Sequence, residues 1–127
     1  MPTTNEEAAG EGAGQGLAAV NEVRLVGRLA AGSEERELPS GSVLVAFRVI
    51  VDRLEPEARE RQRVDVLDCV VWTARMRRQA LGWRVGDLIE VEGALRRRFF
   101  RSGGATQSRV EVEVLRGRVI RRAPAAA

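Results

Sequence analysis

The stretch SVLVAFRVIVD, residues 42–52, limits the possible architectures more than any other part of the chain. Successive side chains on a strand point to opposite faces. Val43, Val45, Phe47, Val49 and Val51 therefore share one face, and that face is apolar throughout. Leu44, Ala46, Arg48, Ile50 and Asp52 share the other. β-Branched residues at this density favour strand over helix. A strand this long with one wholly apolar face needs a sheet that buries it.

Other segments keep the same period. VRLVGRLAA, from Val23, alternates Val23, Leu25, Gly27 and Leu29 with Arg24, Val26 and Arg28. Gly27 inside it predicts a bulge or sharp bend. EERELPSG ends in a turn, with Pro39 and Gly41 as breakers. A charged loop with Pro56 covers 53–63. VDVLDCVVW, 64–72, puts Leu67, Cys69 and Val71 on a core face and Val66, Asp68, Val70 and Trp72 on the outer one. VGDLIEVEGALRRRFF and SRVEVEVLRGRVI flank a Ser-Gly-Gly loop and predict a long hairpin. TARMRRQALGW, 73–83, is the one good helical candidate. Thr73 is its N-cap, Gly82 lies near its end, and Met76, Ala80 and Trp83 form its apolar face. Trp83 is expected to pack against the sheet.

Three strands, a short helix and two strands make a mainly all-β chain. The order predicts an OB-fold, a five-stranded Greek-key barrel with one short helix between strands three and four. Another small barrel is the competing architecture. The 127 residues suffice for one domain, expected over 19–121. Residues 1–18 hold Gly, Ala and Glu with almost nothing to bury, and are expected to form a disordered arm. Residues 122–127 are expected to be a short disordered tail.

Every basic side chain is arginine. Guanidinium planes bind phosphate bidentately and stack on rings, which ammonium groups do poorly. Arginine codons are rich in G and C, which predicts a high-GC genome. The net charge of +3 understates the domain. Leaving out residues 1–16, with Glu6, Glu7 and Glu11, gives 15 acids against 21 arginines, or +6. Residues 93–122 hold nine arginines and two glutamates. Such a basic half suits a polyanionic partner; a solvated basic surface with no partner is the plainer alternative.

Catalysis lacks its parts. The chain has no histidine and no tyrosine, and its single cysteine has no visible base partner. Cys69 reads as a small core residue. No spacing supports a metal site, no Gly-rich loop suits a phosphate cofactor, and no cofactor is expected. One cysteine forms no intramolecular disulfide, which fits a reducing cytoplasm. No apolar run reaches the roughly 20 residues of a membrane span, and the acidic N-terminus is unlike a signal peptide. The chain reads as cytoplasmic, on the nucleoid.

Binding fits better. In GALRRRFFRSGG, residues 93–104, alternation sends Leu95, Arg97 and Phe99 one way and Arg96, Arg98 and Phe100 the other. The second set, two cations and an exposed ring, suits single-stranded nucleic acid, where cations track phosphates and rings stack on bases. Hairpin packing is the alternative for both rings, and more so for Phe99. Trp72, facing outward at a strand end, is a second stacking candidate; covering the barrel end is its alternative. Arg48 on the non-core face joins the charged surface.

NEVRLVGRL, LPSG, AFRVIV, DCVVW followed by a helix, and GDLIEVEGALRRRFF together resemble the bacterial single-stranded DNA-binding protein family over about residues 21–120. The resemblance implies an OB-fold that binds single-stranded DNA without sequence preference, as a homotetramer built from a dimer of dimers. It implies stacking at Trp72 and Phe100. Two further stacking positions of the family fall at Val66 and near Leu54 and Glu55, and lack rings here. Leu67 and Asp68 stand where the best-known members carry His-Arg. Asp68 is expected on the DNA side, with Arg96 and Arg98 as candidate partners. Weaker binding, or a shorter DNA path, is implied. The chain stops at RRAPAAA, without the family's Gly-rich linker and acidic tip. The resemblance therefore implies a tail-less paralogue that recruits tail-dependent protein partners poorly.

The leading expectation is stoichiometric DNA binding in replication, recombination or repair. Phosphate contacts are expected from Arg48, Arg96, Arg97, Arg98, Arg101 and Arg109, and stacking from Trp72 and Phe100. Arg97 is the weakest of these, because alternation turns it from Phe100. The alternatives are an OB-fold accessory for replication restart and a protein-interaction scaffold.

Overall fold

The computed structural model describes residues 18–54 and 61–125, with the backbone of 2–4 and 13–14. The arm expected over 1–18 lies mostly outside the described residues. Within it, Pro2–Thr4 pairs antiparallel with Ala13–Gly14. Residues 55–60 of the expected charged loop, Pro56 among them, are outside the description too.

The elements run β1 Val23–Leu29, β2 Glu34–Glu37, β3 Val43–Asp52, β4 Val64–Val71, α1 Ala74–Leu81, β5 Leu88–Ser102 and β6 Ala105–Arg121. The five long strands close into a ring. β1 pairs β5, β5 pairs β6, β6 pairs β4, β4 pairs β3, and β3 returns to β1 through Arg28↔Ile50 and Leu29↔Val49. Every contact in the ring is antiparallel except β4–β6, a parallel seam of Cys69↔Val112 and Val70↔Glu113. With α1 between β4 and β5, this is the expected OB-fold. The strand not expected is β2, all of it exposed, which pairs β3 alone.

Alternation puts the expected face inside. Val45, Phe47, Val49, Cys69, Val71, Ile89, Val91, Val112 and Val114 are buried in one core. Leu44, on the other face of β3, is also buried, at 1% exposure. α1 caps one end of the barrel. Thr73 Oγ1 accepts the Met76 N–H at 3.2 Å, and Met76, Ala80 and Trp83 face the core. Trp83 meets Phe47 edge-on, with ring centroids 5.3 Å apart, a contact worth about 1 kcal/mol beyond its burial.

Glycines set the curvature. Gly27 does not carry the expected bulge: the β1–β5 register runs through it unbroken. It is small because β3 crosses there; a Cβ would stand 2.2 Å from the Ile50 carbonyl oxygen. The register shifts lie in β5–β6 instead, one of them between Glu92 and Gly93. The hairpin tip turns on Gly103 and Gly104, at φ 61° and 82°, the left-handed pair a two-residue loop requires.

Asp87 fastens the turn that follows α1. Fully buried, its carboxylate accepts the Arg84 N–H at 2.9 Å, the Ala123 N–H at 2.7 Å and Arg122 Nη1 at 2.9 Å. Burial pushes its pKa up, but the N–H groups of Ala123 and Arg84 and the Arg122 guanidinium outweigh that and hold it below the usual carboxylate range. The tail expected over 122–127 thus begins with two tethered residues.

Candidate nucleic-acid interface

β4 and β6 share only the two pairs of the seam, and β5–β6 runs on as a hairpin well past it. A groove of about 200 Å³ lies on the outer face there. Ala46 and Val70 line it with Arg48, Asp68, Arg98, Arg109 and Glu111; the Ala31–Gly32 turn, β2 residues Glu34 and Arg36, and Phe47 and Cys69 complete the lining. The registers explain the convergence. Arg48 opposes Asp68, Ala46 opposes Val70, and Val70 opposes Glu113. Arg98 opposes Arg109 on the hairpin.

The arginines here are largely paired. Arg48 Nε donates to Asp68 Oδ1 at 2.9 Å. Arg96 Nε donates to Glu113 Oε1 at 2.7 Å. Arg98 grips Glu111 with both Nε and Nη2, at 3.0 and 3.3 Å. This corrects the expected partnership: Arg48 neutralises Asp68, whereas Arg96 and Arg98 are taken by glutamates. The cause is register, since Asp68 and Arg48 are direct cross-strand neighbours. Glu111 is 4% exposed. Its role was readable in part: VEVEV places Glu111 and Glu113 on the face of Arg109.

Arg97, Arg101 and Arg109 have no carboxylate partner among the described residues. Arg97 Nη1 donates to Ser108 Oγ at 3.1 Å, and Arg101 Nη2 to the Gly104 carbonyl at 3.3 Å. Arg109 lies over the Phe100 ring, 5.8 Å from its centroid, a cation–π arrangement. Arg97 points off the groove face, as alternation expects.

The rings differ from expectation. Phe100 is half-buried beneath Arg109, and Phe99 is the exposed one, at 65%. Leu95 and Val110, on the Phe99 side, are exposed too. Trp72 is half-buried just past β4 rather than fully outward, and its carbonyl accepts from Arg77. It does not line the groove holding Arg48, Arg98 and Arg109. Val70, expected outward, is buried at the groove floor. Val66 and Leu54, where the family's other rings would fall, are exposed, at 52% and 90%.

Cys69 is buried beneath the groove. Burial, then the nearby charges of Asp68 and Glu111, push its thiol up to about 12. Among the described residues no group of three or more His, Cys, Asp or Glu side chains is placed to hold a metal. No helix there is long and apolar enough to cross a membrane.

A closed barrel with this strand order, one helix between β4 and β5 and a long hairpin defines an OB-fold protein. The chain belongs to the single-strand binding protein family, whose family model matches residues 20–120. It is 30% identical over 79 residues to single-stranded DNA-binding protein 1 of Lactococcus lactis, covering 62% of this chain and 53% of that protein. A Streptococcus agalactiae single-stranded DNA-binding protein 1 is 28% identical over 79 residues, covering 62% and 48%. The chain thus spans about half the length of these curated relatives. The solved structure of a Plasmodium falciparum SSB complex with ssDNA has the same fold, with a TM-score of 0.64 and 17% identity, over 84% of this chain and 98% of that one.

Proposed function

We propose that the chain binds single-stranded DNA without sequence preference, stoichiometrically and not as an enzyme, in replication, recombination or repair. The observation that carries this is the convergence of Arg48, Arg98 and Arg109 on one groove, with the Phe100 ring under Arg109. Phosphates run along the guanidinium groups, Arg96 and Arg101 extending the path. Bases stack on Phe100 and Trp72, each worth roughly 1–3 kcal/mol whatever the base. Arg97, on the opposite side of the hairpin, serves only where the strand wraps the tip. Family membership and the curated relatives' names support the ligand class.

Tryptophan fluorescence tests this directly. Trp83 is buried in the core, so quenching by oligothymidine reports on Trp72. The expected result is quenching that Trp72→Ala removes. Neither quenching nor gel retardation at low salt would sink the reading.

Assembly is part of the proposal. Phe99, Leu95 and Val110 form an exposed apolar strip on the hairpin, which supports a homo-oligomer of the tetrameric, dimer-of-dimers kind. Light scattering is expected to give a mass four times that of the 13.9 kDa chain; a monomer would remove this part.

A further inference from the structure

Two carboxylates lie along the proposed phosphate path: Asp68 lines the groove, and Glu113, outside that lining, holds Arg96 beside it. Asp68 sits on β4 against Arg48, and Glu113 sits across the seam from Val70 against Arg96. Both pairs are open to water: the arginine side chains are 65% and 60% exposed, the carboxylates 42% and 26%. Exposed pairs of this kind contribute little to stability. They differ from Glu111, which is buried and gripped by Arg98. The two carboxylates therefore have little structural work to explain them.

Their effect on a bound polyanion is specific. A phosphate that takes an unpaired arginine releases a counterion from the nucleic acid, and that release drives salt-sensitive, sequence-blind attraction. A phosphate that displaces a carboxylate from its arginine also releases one. The freed carboxylate then takes a cation up, and the net release at that contact is near zero. Stacking on a ring is untouched by this exchange.

We propose that Asp68 and Glu113 are specificity-determining residues: they cancel bare phosphate attraction at Arg48 and Arg96, so that the groove retains polyanions with unpaired bases and rejects those without. The proposal rests on the single-strand reading above. Net counterion release then falls mainly to Arg101 and Arg109 at the hairpin, with Arg97 as a third contact where the strand wraps the tip.

The test compares Asp68→Asn, Glu113→Gln and the double variant with the unaltered chain. Affinity for oligothymidine is measured from low to high salt, and heparin, a polyanion without bases, serves as competitor. At about 0.7 per phosphate contact on a single strand, the unaltered chain is expected to show a log–log slope of about −2. Each single variant is expected to steepen it by about 0.7, and the double variant by twice that. Heparin is expected to compete about tenfold better against the double variant. Arg109→Gln, which removes an unpaired cation, is expected to make the slope shallower by about 0.7. Unchanged slopes in both single variants, with the unaltered chain binding oligothymidine, would overturn this proposal alone. Failure of the unaltered chain to bind oligothymidine at all would overturn the single-strand reading and this proposal with it.

Discussion

Phe99 and Phe100 are neighbours on β5 and face opposite ways, so one substitution at each separates two roles. Phe100→Ala removes the ring under Arg109 and is expected to weaken oligothymidine binding by roughly 1–3 kcal/mol, read by fluorescence titration. Phe99→Ala is expected to leave that titration unchanged and to lower the assembled mass in light scattering, because its ring stands in the exposed strip. Arg98 needs a different reading. Removing it leaves Glu111 buried without its partner, which costs about 3–5 kcal/mol. Arg98→Met is therefore expected to lower the unfolding midpoint sharply, and its lost DNA binding would not by itself count as a lost phosphate contact. Cys69, with its thiol pushed up to about 12, is expected to ignore a thiol reagent at pH 8 in the folded protein and to react on unfolding. Rapid labelling of the native chain would contradict its burial.

At the scale of elements, close backbone approach is what glycine supplies. A Cβ at Gly93 would stand 1.8 Å from the Glu113 carbonyl oxygen, and one at Gly27 2.2 Å from that of Ile50. Gly27→Ala and Gly93→Ala are each expected to destabilise by about 3 kcal/mol, the upper end of overpacking, in urea titrations; a cost below 1 kcal/mol would show that the strands separate freely. Much of this architecture was legible beforehand. The core face of β3, Cys69 and Val71 on β4, the helix with Thr73 at its cap, Trp83 in the core and the Gly-Gly hairpin all follow from side-chain period and turn chemistry, whereas Leu67, expected in the core, is half-buried and Val70, expected outward, is buried. β2 was not legible, since EERE has nothing to bury and is held by a backbone ladder to β3. The arginine partners were not legible either. Alternation says which face a residue takes, whereas pairing depends on register between strands distant in sequence. The same applies to Phe100, whose half-burial comes from a hairpin neighbour, Arg109, and not from its own strand.

For the molecule as a whole, acid is the informative stress. Asp87 and Glu90 both have carboxyls held below their ordinary range, Glu90 by hydrogen bonds from Arg24 and Arg118. Between the native and unfolded pKa values the unfolded chain binds more protons, so stability rises with pH there. Their contribution is complete above the ordinary carboxylate range near pH ~4 and disappears as pH falls through the lower native values. Urea midpoints are expected to drop steeply below pH ~4, and Asp87→Asn is expected to flatten that limb. An unaltered limb would mean that the Asp87 contacts carry no net stability. The barrel's closure has a kinetic side as well. The seam between β4 and β6 holds two residue pairs and joins positions 70 and 113, whereas the hairpin beside it zips locally from its Gly-Gly tip. Closing such a loop costs entropy before any reward, and the two pairs of the seam return little of it, whereas β1–β5 closes a longer loop but returns six pairs. The seam is therefore the last stave to be set and the first to spring, and a DNA strand lying across it would act as a hoop.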